Sequence, residues 1–291
     1  MELYTNLREG EKGAWISICI YISLSIFKLS AGYIGSSEAL KADGLNNFTD
    51  IIASIAILIG LRISQKPPDD HHQYGHLRAE TIASLVAAFI MASIGIQVII
   101  QAITHLINPI EQQPSFLTAI VAFISAIVMY AVYRYNLRLG TRINSPAVKA
   151  AAYDNRSDAF VSLGATIGII GSIIGFPILD GITALIVGII IMITAYNIFH
   201  EAAYTLSDGF NVEEAESLST IVKHVIGVET VKNFKGRMHG NLMFIDLTVT
   251  VDPTLNVIDS HRITEEIEQK IMKVKPFSVV HVHIEPHMEN D

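Results

Sequence analysis

The sequence predicts a membrane domain of six transmembrane helices followed by a soluble C-terminal α+β domain. Three observations predict it. Residues 13–200 contain long apolar runs, whereas 205–291 read like an ordinary soluble domain. Only 16% of the 291 residues are charged, where a soluble domain carries about 25%. Lys and Arg, finally, collect in alternate loops of the apolar region. The division falls between residues 1–206 and 207–291.

A helix needs about 20 apolar residues to cross a bilayer core. Spans are expected near 13–34, 38–63, 79–104, 115–136, 146–174 and 177–200. Spans two and five are the weakest by hydropathy because each holds several polar residues. Arg8, Lys12, Arg62, Lys66, Arg78, Arg134, Arg138, Arg142 and Lys149 lie in the N-terminus, the 2–3 connection or the 4–5 connection. The opposite loops hold no Lys or Arg, and only Lys41 lies near them. The excess of basic charge places both termini in the cytoplasm of a multi-pass cell-membrane protein. Short turns join spans one to two and five to six, and Asn108-Pro109 stops the helix in the 105–114 link. The run from Lys66 through Pro67, Pro68, Asp69, Asp70, His71 and His72 is a polar loop that starts non-helical.

In the soluble part, Asn211 caps a helix whose first turn carries Glu213 and Glu214, and Gly227 is expected to end it. Residues 229–237 are a first strand, and Leu242–Val251 alternates as a second. Asp252-Pro253 breaks that strand. Ile263, Ile267 and Ile271 then mark one face of a helix over 256–274, and Phe277–Ile284 is the last strand. The order α-β-β-α-β predicts a small sandwich with both helices on one sheet face.

Composition also excludes. A net charge of −8 argues against a nucleic-acid partner. The single Cys19 offers neither a disulfide framework nor a thiolate cluster. Met1–Lys12 is mixed in charge and precedes an apolar stretch too long for a cleaved signal peptide.

The chemistry lies inside the spans. An ionised group at the bilayer centre costs about 2.5–3.5 kcal/mol or more, so such residues are rare without a function. Span two holds Asp43, Asn46, Asn47 and Asp50; span five holds Asp154, Asn155, Arg156 and Asp158. Asn46 and Asp50 are four residues apart and share a helix face, as do Asp154 and Asp158. Asp50 and Asp158 each sit twelve residues from the start of their span, about 18 Å from opposite surfaces at ~1.5 Å per residue. Both therefore lie near the midplane. Three carboxylates at one depth repel strongly unless a divalent cation, or protons after it leaves, offset the charge. The structural alternative is interhelical hydrogen bonding, or pairing with Arg156 or Lys28.

The segments KADGLNNFTD, PPDDHHQYGHLRAE, AAYDNRSDAF, VDPTLNVIDSH and HVHIEP, in that order, resemble the cation diffusion facilitators, and the likeness covers essentially the whole chain. The resemblance implies a homodimeric exporter with its transport site between spans two and five. It also implies inward proton flow coupled to outward metal flow, and a cytoplasmic domain shaped like a metallochaperone. The family's four transport positions fall on Asn46, Asp50, Asp154 and Asp158. Zinc exporters of the family usually place a histidine among the four, and this chain has none. An amide oxygen and three carboxylates suit hard cations such as Mn²⁺ or Mg²⁺, whereas imidazole suits zinc. The pattern is similar to the manganese-exporting branch, with Fe²⁺ and Zn²⁺ left open.

Two further clusters follow. His72 and His76 are four apart and would share a ligand face if span three started early; the resemblance implies a metal held by Asp69, His72 and His76. In the last strand, His281, His283 and Glu285 share a face. Family members that bind zinc here use more histidines, and Lys232 and Thr248 stand at two of those positions. A single ion on His261, His283 and Glu285 is the remaining expectation. Arg78 and Asp208 flank the cytoplasmic boundary as a candidate ion pair. The reading is a proton-coupled exporter of divalent cations, Mn²⁺ foremost, without a prosthetic group. Its rivals are export of Zn²⁺ or Fe²⁺, and a metal-gated channel or sensor. An intramembrane metalloenzyme would need a motif such as His-Glu-x-x-His, which is absent.

Overall fold

The computed structural model describes residues 2–64, 66–108, 113–142, 146–239 and 242–288. Pro109, read as a helix stop, lies outside the described residues, as do the side chains of Arg8, Lys12, Arg62 and Lys149. Six long helices come first: α1 (Glu2–Ile34), α2 (Glu38–Ser64), α3 (Ala79–Ile107), α4 (Phe116–Arg142), α5 (Pro146–Ile173) and α6 (Ile178–Leu206). Among the described residues, four stretches are long and apolar enough to cross a membrane: Trp15–Ile34, Thr81–Ile107, Phe116–Arg142 and Ile178–Leu206. The polar helices α2 and α5 are not among them. Contacts divide the chain into two compact units, 1–56 with 86–198 and 57–85 with 199–291.

In the first unit, α4 packs along α5 and α1 touches both. Ile26, Phe27, Ile100, Phe123, Ile167 and Ile193 remain exposed on the helices, an apolar surface that lipid tails can cover. Close approach depends on small residues. A Cβ on Gly168 of α5 would collide with the Thr183 side chain of α6. At the α1–α2 turn, Asp180 of α6 caps the start of α2: the Glu38 amide donates to its Oδ2 at 2.6 Å, and Ser37 Oγ to its Oδ1 at 2.7 Å. A carboxylate at a helix N-terminus satisfies otherwise unpaired amides and complements the dipole. That cap fixes one end of the helix that carries Asn46 and Asp50.

The second unit contains the α-β-β-α-β domain. Its elements are α7 (Val212–Lys223), β1 (Thr230–His239), β2 (Leu242–Val251), α8 (Val257–Val274) and β3 (Ser278–Pro286). The Asn211 side chain accepts from the Glu214 amide at 2.9 Å and starts α7 as expected. The helix stops at Lys223, ahead of Gly227, whose φ of +92° closes the turn that follows. β1 pairs antiparallel with β2, and β2 pairs parallel with β3. Met243, Ile245, Leu247, Val249 and Val251 point alternately to one face, where Ile263, Ile267 and Ile271 of α8 and Leu218 and Val222 of α7 bury them. The opposite sheet face carries the polar residues: Asp246 beside His281, Thr248 beside His283 and Thr250 beside Glu285.

Candidate metal sites

Asn46 and Asp158 join α2 to α5. Asn46 Nδ2 donates to Asp158 Oδ1 at 3.1 Å, and both residues are buried. Tyr21 of α1 donates its hydroxyl to the other carboxylate oxygen, Asp158 Oδ2, at 2.6 Å. Asp50, one turn beyond Asn46, has a buried Oδ2 with no hydrogen-bond partner among the described residues. Asp154, one turn before Asp158, is exposed on α5. Asn46 and Asp158 are thus in direct contact, whereas the three carboxylates do not close around one point. Among the described residues, only Asp69, His72 and His76 bring three carboxylate or imidazole ligand atoms within 4.8 Å of one another.

Asp43 and Asn47, on the same helix, belong to a different network. Lys28 Nζ lies 2.9 Å from Asp43 Oδ1, 2.5 Å from Asn47 Oδ1 and 2.9 Å from Ser162 Oγ, and Lys28 and Asp43 are fully buried. The structural alternative drawn from the sequence therefore holds for Asp43: it is half of an ion pair between α1 and α2. Arg156 instead lies over the Tyr133 and Tyr153 rings, 5.9 and 5.0 Å from their centroids.

In the second unit the 66–78 loop builds a compact cluster. Its histidines converge by a different route from the helical face expected of them. α3 begins only at Ala79. Asp69 and His72 exchange backbone hydrogen bonds at 3.2 Å, and the Gly75 amide, at φ +76°, donates to the His72 carbonyl at 2.8 Å. The turn places His72 Nδ1 3.2 Å and His76 Nε2 3.6 Å from the two Asp69 oxygens, with the imidazole centroids 4.2 Å apart. Donation from the His72 amide, joined by the His71 amide and the His72 ring, holds the Asp69 carboxyl below the usual carboxylate range. Asp69 stays an anion, and His76 Nδ1 is buried without a partner among the described residues. One anionic oxygen and two imidazoles form the donor set of many transition-metal sites.

The same loop meets one end of the polar sheet face. Tyr74 sits edge-on to Phe244, centroids 5.9 Å apart, and 6.3 Å from His239. His239 stacks 4.9 Å from Phe244, and Arg237 lies over that ring. Arg78 and Asp208 form the ion pair that their positions suggested, with Nη2 donating to Oδ1 at 2.5 Å.

The third predicted set is not assembled within one chain. His261, on α8, pairs with Glu265 at 3.6 Å. His283 and Glu285 lie 3.7 Å apart, with Lys232 3.3 Å from Glu285. Because α8 covers the face that buries Val280, Val282 and Ile284, strand alternation turns His283 and Glu285 to the opposite face.

Sequence reasoning passed over Tyr21, Asn136, Asn155 and His239 as site residues. Asn136 carried little signal, because it follows Arg134 at the expected end of span four. Tyr21 carried none, since a tyrosine among apolar residues looks like packing.

Residues 14–207 match the family model of the cation efflux transmembrane domain, and residues 211–287 that of the cation efflux protein cytoplasmic domain. The chain is 46% identical over 286 residues to the manganese efflux system protein MneS of Bacillus subtilis strain 168, covering 98% of this chain and 99% of that protein. The uncharacterized transporter YdbO of the same organism is 47% identical over the same coverage. Its manganese efflux system protein MneP is 29% identical over 96% of this chain and 97% of that protein.

Proposed function

The chain belongs to the cation efflux family, and on that premise we propose that it is a homodimeric, proton-coupled exporter of Mn²⁺ in the cell membrane. All six long helices span, both termini are cytoplasmic, and the soluble domain begins at residue 207. The observation that carries the reading is the buried Asn46–Asp158 contact between two polar helices of an apolar bundle, with an Asp50 oxygen one turn away that has no partner among the described residues. The donor set is oxygen only, which favours a hard cation, and two relatives are named for manganese efflux.

Asn46 has two uses in this reading. Its amide nitrogen holds Asp158 while the site is empty, where an aspartate would repel it. Its amide oxygen remains to ligate the metal. Asp50, Asp154 and Asp158 carry −3 together when ionised, and −1 with a divalent cation bound. An empty site at −3 is disfavoured at the midplane, so protons taken up on metal release restore a tolerable charge. Cytoplasmic metal binds as those protons leave, and helix movement then exposes the site to the outside. The Asp69–His72–His76 cluster is a second, cytoplasmic metal site that collects or senses the ion. Homodimerisation rests on the cytoplasmic domain.

The test is reconstitution of the full chain in liposomes, with Mn²⁺, Zn²⁺, Fe²⁺ and Mg²⁺ offered in parallel with and without a proton gradient. Mn²⁺ flux that exceeds the others and accelerates with acid on the trans side is expected. Flux indifferent to the gradient would remove antiport, and a preference for Zn²⁺ would remove the manganese reading.

A further inference from the structure

We propose that Tyr21 is a positioning residue of the transport site, whose hydroxyl fixes the Asp158 carboxylate in the orientation that captures the cation. The inference rests on the reading of Asp158 as a cation ligand and adds to it a residue on a third helix. Tyr21 is 6% exposed and Asp158 7% exposed, and their 2.6 Å contact joins α1 to α5.

The direction of that hydrogen bond is set from behind. Asn136 Nδ2, on α4, donates to Asn155 Oδ1 at 2.9 Å and to Ser17 Oγ at 2.8 Å. With its oxygen so engaged, Asn155 turns its Nδ2 to the Tyr21 hydroxyl and donates at 2.7 Å. A hydroxyl has one proton. Since Asn155 already donates to the Tyr21 oxygen, that proton is free for Asp158. The chain Asn136 to Asn155 to Tyr21 to Asp158 thus runs donor to acceptor in one sense, and every member is buried.

A chain of this kind has a use. A carboxylate oxygen has two lone pairs, so Asp158 Oδ2 can keep the tyrosine proton on one and offer the other to a metal. Carboxylates that ligate metals are commonly held by such outer hydrogen bonds, whose loss lowers affinity or activity about 10–100-fold. Asn46 cannot fill this role throughout the cycle, because it is a ligand itself. Among the described residues, Tyr21 is the one donor to Asp158 that lies outside the four ligand positions. Phenylalanine would pack the same space without the burden of a buried hydroxyl, so packing alone does not explain a tyrosine.

The test is initial-rate Mn²⁺ transport by full-length Tyr21→Phe in liposomes, with Asp158→Ala beside it. The expected result is a KM raised about 10–100-fold with kcat little changed, since the ring and its packing remain. An unchanged or lowered KM overturns the proposal, and so does a fall in kcat alone, which marks a structural role. Should Tyr21→Phe fail to fold, Asn155→Ala, which removes the support behind the hydroxyl, replaces it. A KM unmoved there overturns the proposal equally. Normal flux from Asp158→Ala removes the transport-site reading itself, whereas lost flux there with an unmoved Tyr21→Phe removes only the role of Tyr21.

Discussion

The two acidic clusters of this chain are built on opposite plans. In the first unit, Asn46, Asp50, Asp154 and Asp158 stand on two helices, are oxygen-only, and do not converge on one point. Neutral donors from α1 and α2 occupy Asp158 in the meantime. In the second unit, Asp69, His72 and His76 sit on one short loop, mix oxygen with nitrogen, and already lie within 4.8 Å of one another. A site on two long helices can open and close as the helices part, which a transported ion requires. A site folded into one turn has no such freedom and suits retention or sensing. Under the proposed function, the set that is not preassembled is the one that carries transport, so preassembly of ligands would be no measure of importance.

The largest expected effect tests that contrast directly. Asp158→Ala should reduce Mn²⁺ flux in liposomes to background while the protein remains folded and monodisperse, whereas Asp69→Ala should keep most of the flux. Abolished flux from the Asp69 variant, with near-normal flux from the Asp158 variant, would invert the two roles.

Asp154 is the residue on which the comparison can be sharpened, because the structure leaves it exposed and one turn from Asp158. If it swings in as a ligand, Asp154→His should bring to the helices the imidazole chemistry now confined to the loop. Imidazole favours zinc, and the Zn²⁺-to-Mn²⁺ transport ratio should rise by about tenfold, equivalent to ~1.4 kcal/mol. Parallel uptake from one vesicle preparation measures it. A ratio that stays level or falls would place Asp154 outside the coordination sphere.

Much of this was legible in the sequence, for physical reasons that differ by element. Asp50 and Asp158 stood out because charge inside an apolar span is costly. β2 was bounded at Leu242–Val251 as found, because Ile245, Leu247, Val249 and Val251 alternate with polar residues and Asp252-Pro253 ends the run. α4 and α6 run on to Arg142 and Leu206, beyond the expected 136 and 200. Hydropathy reports the bilayer, whereas the helical hydrogen bonds continue into polar sequence. Tyr21 was invisible, because only the three-dimensional meeting of α1, α4 and α5 gives its hydroxyl a purpose. His72 and His76 were paired for the wrong local reason, since a turn through Gly75 joins them and no helix does. His261 and His283 were grouped from the family resemblance, which does not say which face of this sheet α8 covers.

The smallest expected effect concerns how firmly the loop is held against the sheet. His239 lies beside both Tyr74 and Phe244, and Arg78, Arg237 and Asp208 are the charged groups that act on it. Burial pushes the His239 imidazole below its ordinary value, and the charges of Arg78 and Arg237 push the same way. Released from the cluster, the imidazole returns to about 6.5. Between the lowered and the ordinary value the released state takes up a proton that the docked state refuses, so docking strengthens as pH rises. Above the ordinary imidazole range the docking is at full strength, and it weakens as pH falls through that range. Asp69 has the same sign, but its contribution is lost only as pH falls through its own lowered carboxyl value, well outside this window. Hydrogen exchange across residues 66–78 should therefore quicken modestly between about pH 7.5 and about pH 5.5, once corrected for intrinsic chemistry. His239→Phe keeps the aromatic stack and removes the titration, so its exchange should lose most of that dependence. If the loop in His239→Phe loosens with acid as much as in the native chain, the histidines of the loop itself are the sensor and His239 is only packing.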